Sequence, residues 1–211
     1  FIVNTFSIII SGKITLFTIN RTTKATMNNK TPTPKIIFFD IDDTLSRNGI
    51  IAAHNQATLE ALAKTDIKLV ISTGRSKAIL PADILALLEA DVLDAIICMN
   101  GQYSFNKDGM ISHYPLSDVQ TRKIVMLCQK SELIHKFDSA THIAWSHENA
   151  RLREYNAITP NSILDPDYHK ANTVYQCSVF FNTQEEKMQE VDFAQDDLKL
   201  VHWHHIGADI L

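Results

Sequence analysis

The sequence is short of the residues that mark specialised chains. Cysteine occurs three times, at Cys98, Cys128 and Cys177, widely spaced and with no C-x-x-C pair. That excludes a disulfide framework and a zinc knuckle, and it points to a reducing compartment, the cytoplasm. Gly and Pro number six each in 211 residues, too few for a collagen-like or low-complexity chain. Long apolar runs are missing too. The apolar stretch at the start is interrupted by Asn4, Ser7, Ser11, Lys13 and Thr15, short of the roughly 18 residues a membrane helix needs. Beyond the first segment, positive charge is scarce. Of 20 Lys and Arg, five lie in residues 1–35, which hold no acid; the remaining 15 face 24 Asp and Glu, a net −9. An acidic body argues against a nucleic-acid surface. It leaves a phosphate substrate open, because one metal ion inverts the local field.

What remains is a 45% hydrophobic chain, enough for one medium domain or two small ones with a real core. It begins with Phe1, and its early basic residues come mostly after the apolar stretch, the reverse of a secretory signal. Met27, followed by polar NNKTPTP, reads as the natural start, with residues 1–26 extraneous. Residues 1–35 are therefore set aside from the fold as an extraneous or disordered leader.

Three short apolar runs follow: Lys35–Asp40, Ile67–Ser72 and Ala95–Met99. Such runs suit strands buried on both faces. Between them, Asn55–Lys64 carries Leu59, Leu62 and Ala63 on one helical face. Pro81–Ala90 carries Ile84, Leu85, Leu87 and Leu88, with Pro81 acceptable in a first turn. The alternation predicts a βαβαβ unit with a parallel, Rossmann-like sheet. Ligands bind such sheets beyond the carboxyl ends of the strands. Those ends carry Asp40-Ile41-Asp42, Ser72-Thr73-Gly74-Arg75 and Asn100-Gly101.

After Gly101 the texture changes to α+β. Gln102–Phe105 and Met110–Tyr114 flank the turn sequence Asn106-Lys107-Asp108-Gly109, a hairpin signal. Ser117–Lys130 reads as a helix with Ser117 as N-cap. Leu133–Phe137 and His142–Trp145 read as short strands. Tyr175–Asn182 and Leu198–His204 alternate like strands with one wet face, around a polar helix near Glu185–Phe193. There is no internal repeat.

The chemistry concentrates in Phe39-Asp40-Ile41-Asp42-Asp43-Thr44-Leu45. Asp40 and Asp42 are two apart at a strand end, so their side chains lean the same way. Two such carboxylates can divide labour. One attacks phosphorus to form an aspartyl phosphate, while the other protonates the leaving oxygen and later activates water. Two close anions call for a cation, and an all-oxygen site suits Mg²⁺. The Ile41 N–H, Thr73 and the Gly74 N–H can hold the phosphoryl oxygens.

These residues resemble the haloacid dehalogenase-like (HAD) superfamily. DIDDTL is similar to its first motif and the S-T-G-R of Ser72–Arg75 to its second. The order FFDIDDTLS, ISTGRS, MNG and then a long insertion resembles the Cof-type phosphatases with a subclass IIB α+β cap. The resemblance implies the first half of an α/β core over 36–112 and an inserted cap over 113–208, with 209–211 starting the return to the core. It implies Asp40 as nucleophile and Mg²⁺ ligand, Asp42 as general acid/base with its main-chain carbonyl on Mg²⁺, and Ile41, Thr73 and Gly74 on phosphate. The substrate implied is a small phosphorylated metabolite, with hydrolysis or transfer to another acceptor both compatible. No membrane or nucleic-acid partner is implied, and no feature sets an oligomeric state.

Two departures stand out. Asp43 occupies a position where many members have Gly. The family's third motif, a Lys, and its fourth, an acidic segment completing the Mg²⁺ site, do not precede Leu211. The chain therefore reads as an N-terminal fragment with little activity of its own and with one edge or face of Ile36–Phe39 bare. The alternative is an inactive or non-catalytic phospholigand-binding relative. Asn100-Gly101 is open between a plain hairpin turn and site support. Arg75 is open between a substrate clamp and a surface ion pair. His202 and His204 share a strand face without a third ligand, which favours a wet face over a metal site. Trp145, Trp203 and Tyr175 read as core rather than cleft lining, and His142 and His147 as surface.

Overall fold

The computed structural model describes residues 5–10, 13–18, 34–47, 50–147, 161–181, 198–204 and 207–211. The chain divides into two compact units. One comprises Phe1–Thr73, Pro81–Ile97 and Ser104–Ile111; the other comprises Gly74–Leu80, Cys98–Tyr103 and Ser112–Leu211.

The first unit is built on a seven-stranded sheet. Its strands are β1 (Thr5–Ile10), β2 (Lys13–Thr18), β3 (Ile36–Phe39), β6 (Lys68–Ser72), β7 (Ala95–Cys98), β8 (Tyr103–Asn106) and β9 (Gly109–His113), in the order β2-β1-β3-β6-β7-β8-β9. β3 pairs parallel with β6, and β6 with β7. Helix α1 (Ala53–Leu62) links β3 to β6, and α2 (Ala82–Glu89) links β6 to β7, the predicted βαβαβ unit. Leu69, Ile71 and Ile96 are fully buried in mid-sheet, and α2 contributes Ile84, Leu87 and Leu88 to the core. A two-stranded ribbon, β4 (Ser46–Arg47) and β5 (Ile50–Ile51), follows the first motif. Between β8 and β9, the Asn106 side chain accepts from the Asp108 and Gly109 amides, closing the predicted hairpin. Gly109 takes φ +138, open to glycine alone.

One expectation changes here. The leader set aside from the fold supplies β1 and β2, and β1 pairs parallel with β3 through Ser7↔Ile37, Ile8↔Phe38 and Ile9↔Phe39. The edge of β3 is therefore covered rather than bare. The physical reason is that β3 offers a row of backbone donors and acceptors, and the Ile-, Phe- and Thr-rich segments have the β-propensity to take it.

The second unit is a six-stranded, mainly antiparallel sheet with a helix against one face. Its elements are α3 (Asp118–Lys130), β10 (Ile134–Asp138), β11 (Ile143–Trp145), β12 (Ser162–Leu164), β13 (Gln176–Phe180), β14 (Leu200–His204) and β15 (Gly207–Ile210). The strand order is β12-β11-β10-β13-β15-β14. Ser117 caps α3 in a full capping box with Gln120. Ile124, Leu127 and Cys128 of α3 pack with Phe137, Cys177, Val179, Ala208 and Ile210 in one core. Trp145 joins Ile134, Ile143 and Phe180 in a second cluster, and Tyr175 is buried as expected. All three cysteines are free and buried; burial pushes the Cys98 and Cys128 thiols up to about 12.

β13 departs from the sequence reading, because all five of its residues are buried. It lies inside the sheet, between β10 and β15. The face read as wet is polar but covered. The chain also does not leave this unit at Asp209: β15 pairs with β13 and β14, and Leu211 exchanges backbone hydrogen bonds with Lys199. The polar helix expected near Glu185–Phe193 and the side chains of Trp203 and His204 lie outside the described residues; His202 is exposed.

Candidate active site

The parallel register of β3 and β6, Phe39 opposite Ile71, brings the first two motifs to neighbouring carboxyl ends. Asp40 leaves β3 half-buried, Ile41 is fully buried, and Asp42 is exposed. Ile41 thus anchors the loop in the core while the acids on either side point elsewhere. The loop closes tightly. The Ile41 carbonyl accepts from the amides of Thr44 (3.4 Å), Leu45 (3.1 Å) and Ser46 (2.9 Å), and the Asp43 amide donates to the Ser46 carbonyl at 3.0 Å. Asn55 of α1 donates to the Thr44 and Leu45 carbonyls at 3.4 and 3.0 Å. Asp43 takes φ +55, a left-handed conformation that Gly adopts freely and Asp tolerates. That accounts for the Asp where Gly was the commoner expectation.

Thr73, buried at the end of β6, donates its amide to the Ile97 carbonyl at 2.9 Å. Asp40, Ile41, Asp42 and Thr73 therefore belong to adjacent strand ends of the first unit. The next residue, Gly74, groups with Arg75 and Asn100 in the second. Arg75 donates to the Ile79 carbonyl at 3.3 Å, and its own carbonyl accepts from the Met99 amide at 3.0 Å. Ser76 caps the following turn, accepting from the Ala78 amide, and donates to the Ser139 carbonyl.

Asn100 is not in a plain hairpin turn. It lies in a one-turn helical stretch with φ +55, and its side chain donates to Gln176 and Asp209 at 3.1 and 3.2 Å. Those partners belong to a buried polar network that sequence reasoning missed. Lys136 binds both carboxylate oxygens of Asp138 at 2.8 and 2.6 Å, and Ser178 donates to Asp209 at 2.7 Å. Burial raises the pKa of Asp209, and the Lys136 charge opposes that rise. The available signal was the period-2 recurrence of polar residues, Lys136 with Asp138 and Gln176 with Ser178.

The donors at Asp40 and Asp42 are hard oxygens, the chemistry that suits Mg²⁺. Among the described residues no group of three His, Cys, Asp or Glu side chains is placed to hold a metal ion. A cleft of about 360 Å³ lies elsewhere in the first unit, at the amino ends of β6 and β7. Its charges pair with each other, Lys68 with Asp94 and Lys107 with Asp91. No described helix is long and apolar enough to cross a membrane.

The sequence pattern of the haloacid dehalogenase-like hydrolase family matches residues 37–210, most of the chain. The chain belongs to that family. A protein of Streptococcus pyogenes serotype M6, named as a bifunctional phosphatase/peptidyl-prolyl cis-trans isomerase, is 26% identical over 84% of this chain. The chain spans 37% of that relative's length. Among solved structures, a HAD subclass IIB sugar phosphatase superposes with a TM-score of 0.70 at 23% identity, over 83% of this chain and 69% of its own. A HAD phosphatase from Bacteroides thetaiotaomicron gives 0.68 at 19%, over 89% and 70%. These likenesses establish the HAD fold, a Rossmann-like α/β core with an α+β cap.

Proposed function

We propose that the chain carries the nucleophile of a Mg²⁺-dependent phosphatase of small phosphorylated metabolites, working through an aspartyl phosphate on Asp40. The observation that carries this reading is the parallel register that sets Asp40 and Thr73 at adjacent strand ends. A carboxylate nucleophile and a hydroxyl donor at such ends face the same ligand position.

In this reading an Asp40 carboxylate oxygen attacks phosphorus and the bond to the ester oxygen breaks. Asp42 gives its proton to the departing alkoxide. Asp42 then takes a proton from water, whose oxygen attacks the phosphoryl group. The bond to Asp40 breaks, and inorganic phosphate leaves with the carboxylate restored. The Ile41 and Gly74 amides and the Thr73 hydroxyl donate to the phosphoryl oxygens. Bound Mg²⁺ would supply charge neutralisation there, held by the Asp40 carboxylate and the Asp42 main-chain carbonyl. Fixing the loop through Ile41 is this chain's own contribution, because it holds both acids without the cost of ordering them at each turnover.

The test is hydrolysis of p-nitrophenyl phosphate with Mg²⁺ by the chain extended to include the family's third and fourth motifs, and by its Asp40→Asn variant. Loss of turnover in the variant is expected; activity within about tenfold of the parent overturns the assignment. Phosphate binding without turnover in the parent would identify a phospholigand-binding relative instead. Offering a sugar acceptor and looking for a transfer product separates hydrolysis from phosphoryl transfer.

A further inference from the structure

We propose that Asn100 is a positioning residue for the phosphate-binding turn, clamping Gly74 to Gln176 and Asp209 of the second unit's sheet. The functional side of this rests on the reading of Gly74 as a phosphoryl donor; the clamp itself rests on geometry. Both amide hydrogens of Asn100 are spent, one on Gln176 Oε1 at 3.1 Å and one on Asp209 Oδ2 at 3.2 Å. That fixes the orientation of the amide. Its Oδ1 then lies against Gly74, where a Cβ would stand 3.2 Å away. Glycine at 74 is what lets the amide approach so closely.

The backbone supports the same conclusion. Met99, Asn100 and Gly101 all have positive φ, at +51, +55 and +103. Such runs persist only where surrounding contacts over-determine them, and they cluster at functional sites. Here the arch gains a second tie, because the Met99 amide donates to the Arg75 carbonyl at 3.0 Å. The far end of the clamp is firm. Asp209 accepts from Ser178, and Gln176 donates to Asp138, which Lys136 holds. The turn carrying the Gly74 N–H is therefore set by the polar face of β13 and β15, and not by the strand-end loop alone.

The test uses the ¹⁵N-labelled full chain with inorganic phosphate and Mg²⁺ as probe. Asn100→Gly removes the clamp and keeps the positive φ unstrained. We expect the phosphate dissociation constant, read at the Gly74 amide, to rise about three- to tenfold. The Met99 amide should exchange faster by a similar factor, with the melting midpoint moving by no more than about two degrees. Gln176→Met should act in the same direction more weakly, and the double variant should be less than additive. Met99 exchange within twofold of the parent in Asn100→Gly would overturn the clamp. Unchanged phosphate affinity with faster exchange would overturn its positioning role. If phosphate does not move the Gly74 amide even in the parent, the phosphatase reading of this turn fails, and Met99 exchange still decides the clamp.

Discussion

Around β3, β6 and β7 of the first unit the polar groups stand at or beyond the strand ends; in β10, β13 and β15 of the second they stand in mid-strand. Strands β3, β6 and β7 bury mostly apolar residues, and their acids and hydroxyls begin where the strands stop, at Asp40, Asp42 and Thr73. Strands β10, β13 and β15 bury Asp138, Gln176, Ser178 and Asp209 on the sheet itself, where they bond one another and the half-buried Lys136. Groups beyond a strand end are open to a ligand. Groups in mid-sheet must be satisfied internally or cost the full price of desolvation. The two units thus place polarity differently, beyond the strand ends in one and inside the sheet in the other.

The sharpest way to break that contrast is to remove a strand-end acid. Asp42→Asn keeps the main-chain carbonyl and changes only the exposed side chain. In the chain extended to include the family's third and fourth motifs, single-turnover hydrolysis should slow by about 10²–10⁴-fold, with Mg²⁺ affinity and melting midpoint nearly unchanged. Loss of metal as severe as in Asp40→Asn would show that the two acids do not divide their roles.

The mid-sheet counterpart should behave in the opposite way, costing stability. Lys136→Met leaves the fully buried Asp138 without its cation, and removes the charge that also acts on Asp209. Breaking a buried pair from one side costs about 3–5 kcal/mol. Urea denaturation at neutral pH reads this directly. A loss under about 1 kcal/mol would mean that the network is solvated and that the contrast between the units is false.

The same contrast explains what could be read from sequence. Continuous apolar runs ending in DIDDTL and STGR announce the strands, and the candidate site residues follow at their carboxyl ends, where the apolar runs stop. The helix starting at Ser117 was equally plain, since its cap is local. The burial of β13 is not legible, because alternation of Gln176 and Ser178 with Cys177 and Val179 is the same whether the polar face meets water or another buried polar group. Asn100 stayed ambiguous for a related reason. Its partners are 76 and 109 residues away, and a left-handed Asn before Gly suits a turn as well as a clamp. β1 is not legible locally, because an unpaired apolar segment and one that completes a distant sheet edge carry the same signal.

A buried group that the network does not satisfy provides the next test. His135, on β10, is 4% exposed, and neither ring nitrogen has a hydrogen-bond partner among the described residues. The Leu133 carbonyl favours the charged ring without reaching hydrogen-bond geometry, and burial outweighs it, pushing the imidazole down to about 4. Between the ordinary value near 6.5 and about 4, the unfolded chain takes up a proton that the folded chain refuses. Stability is therefore full above that window and falls as pH drops through it, by about 3 kcal/mol at its acid end. His135→Leu should gain about 1–3 kcal/mol at pH 7 and flatten the stability profile through the window. An unchanged profile would place the ring in contact with water.

The smallest effect separates the units at their helix starts. α3 of the second unit begins with Ser117, whose side chain accepts from the Gln120 amide while Gln120 reaches back to the Ser117 amide at 2.9 Å. α1 of the first unit begins after Ala52, with extended backbone (φ −64, ψ 139) and no side-chain cap. The orphan amides of the two helices are thus satisfied unequally. Ser117→Ala should cost about 1 kcal/mol, and Ala52→Ser, placed on a backbone already suited to a cap, should gain a comparable amount. Measured together by urea denaturation, the two changes should nearly cancel if both units unfold in one transition. If they unfold separately, Ser117→Ala should lower only the transition that releases Cys128 of α3 to thiol labelling, and Ala52→Ser should raise only the other.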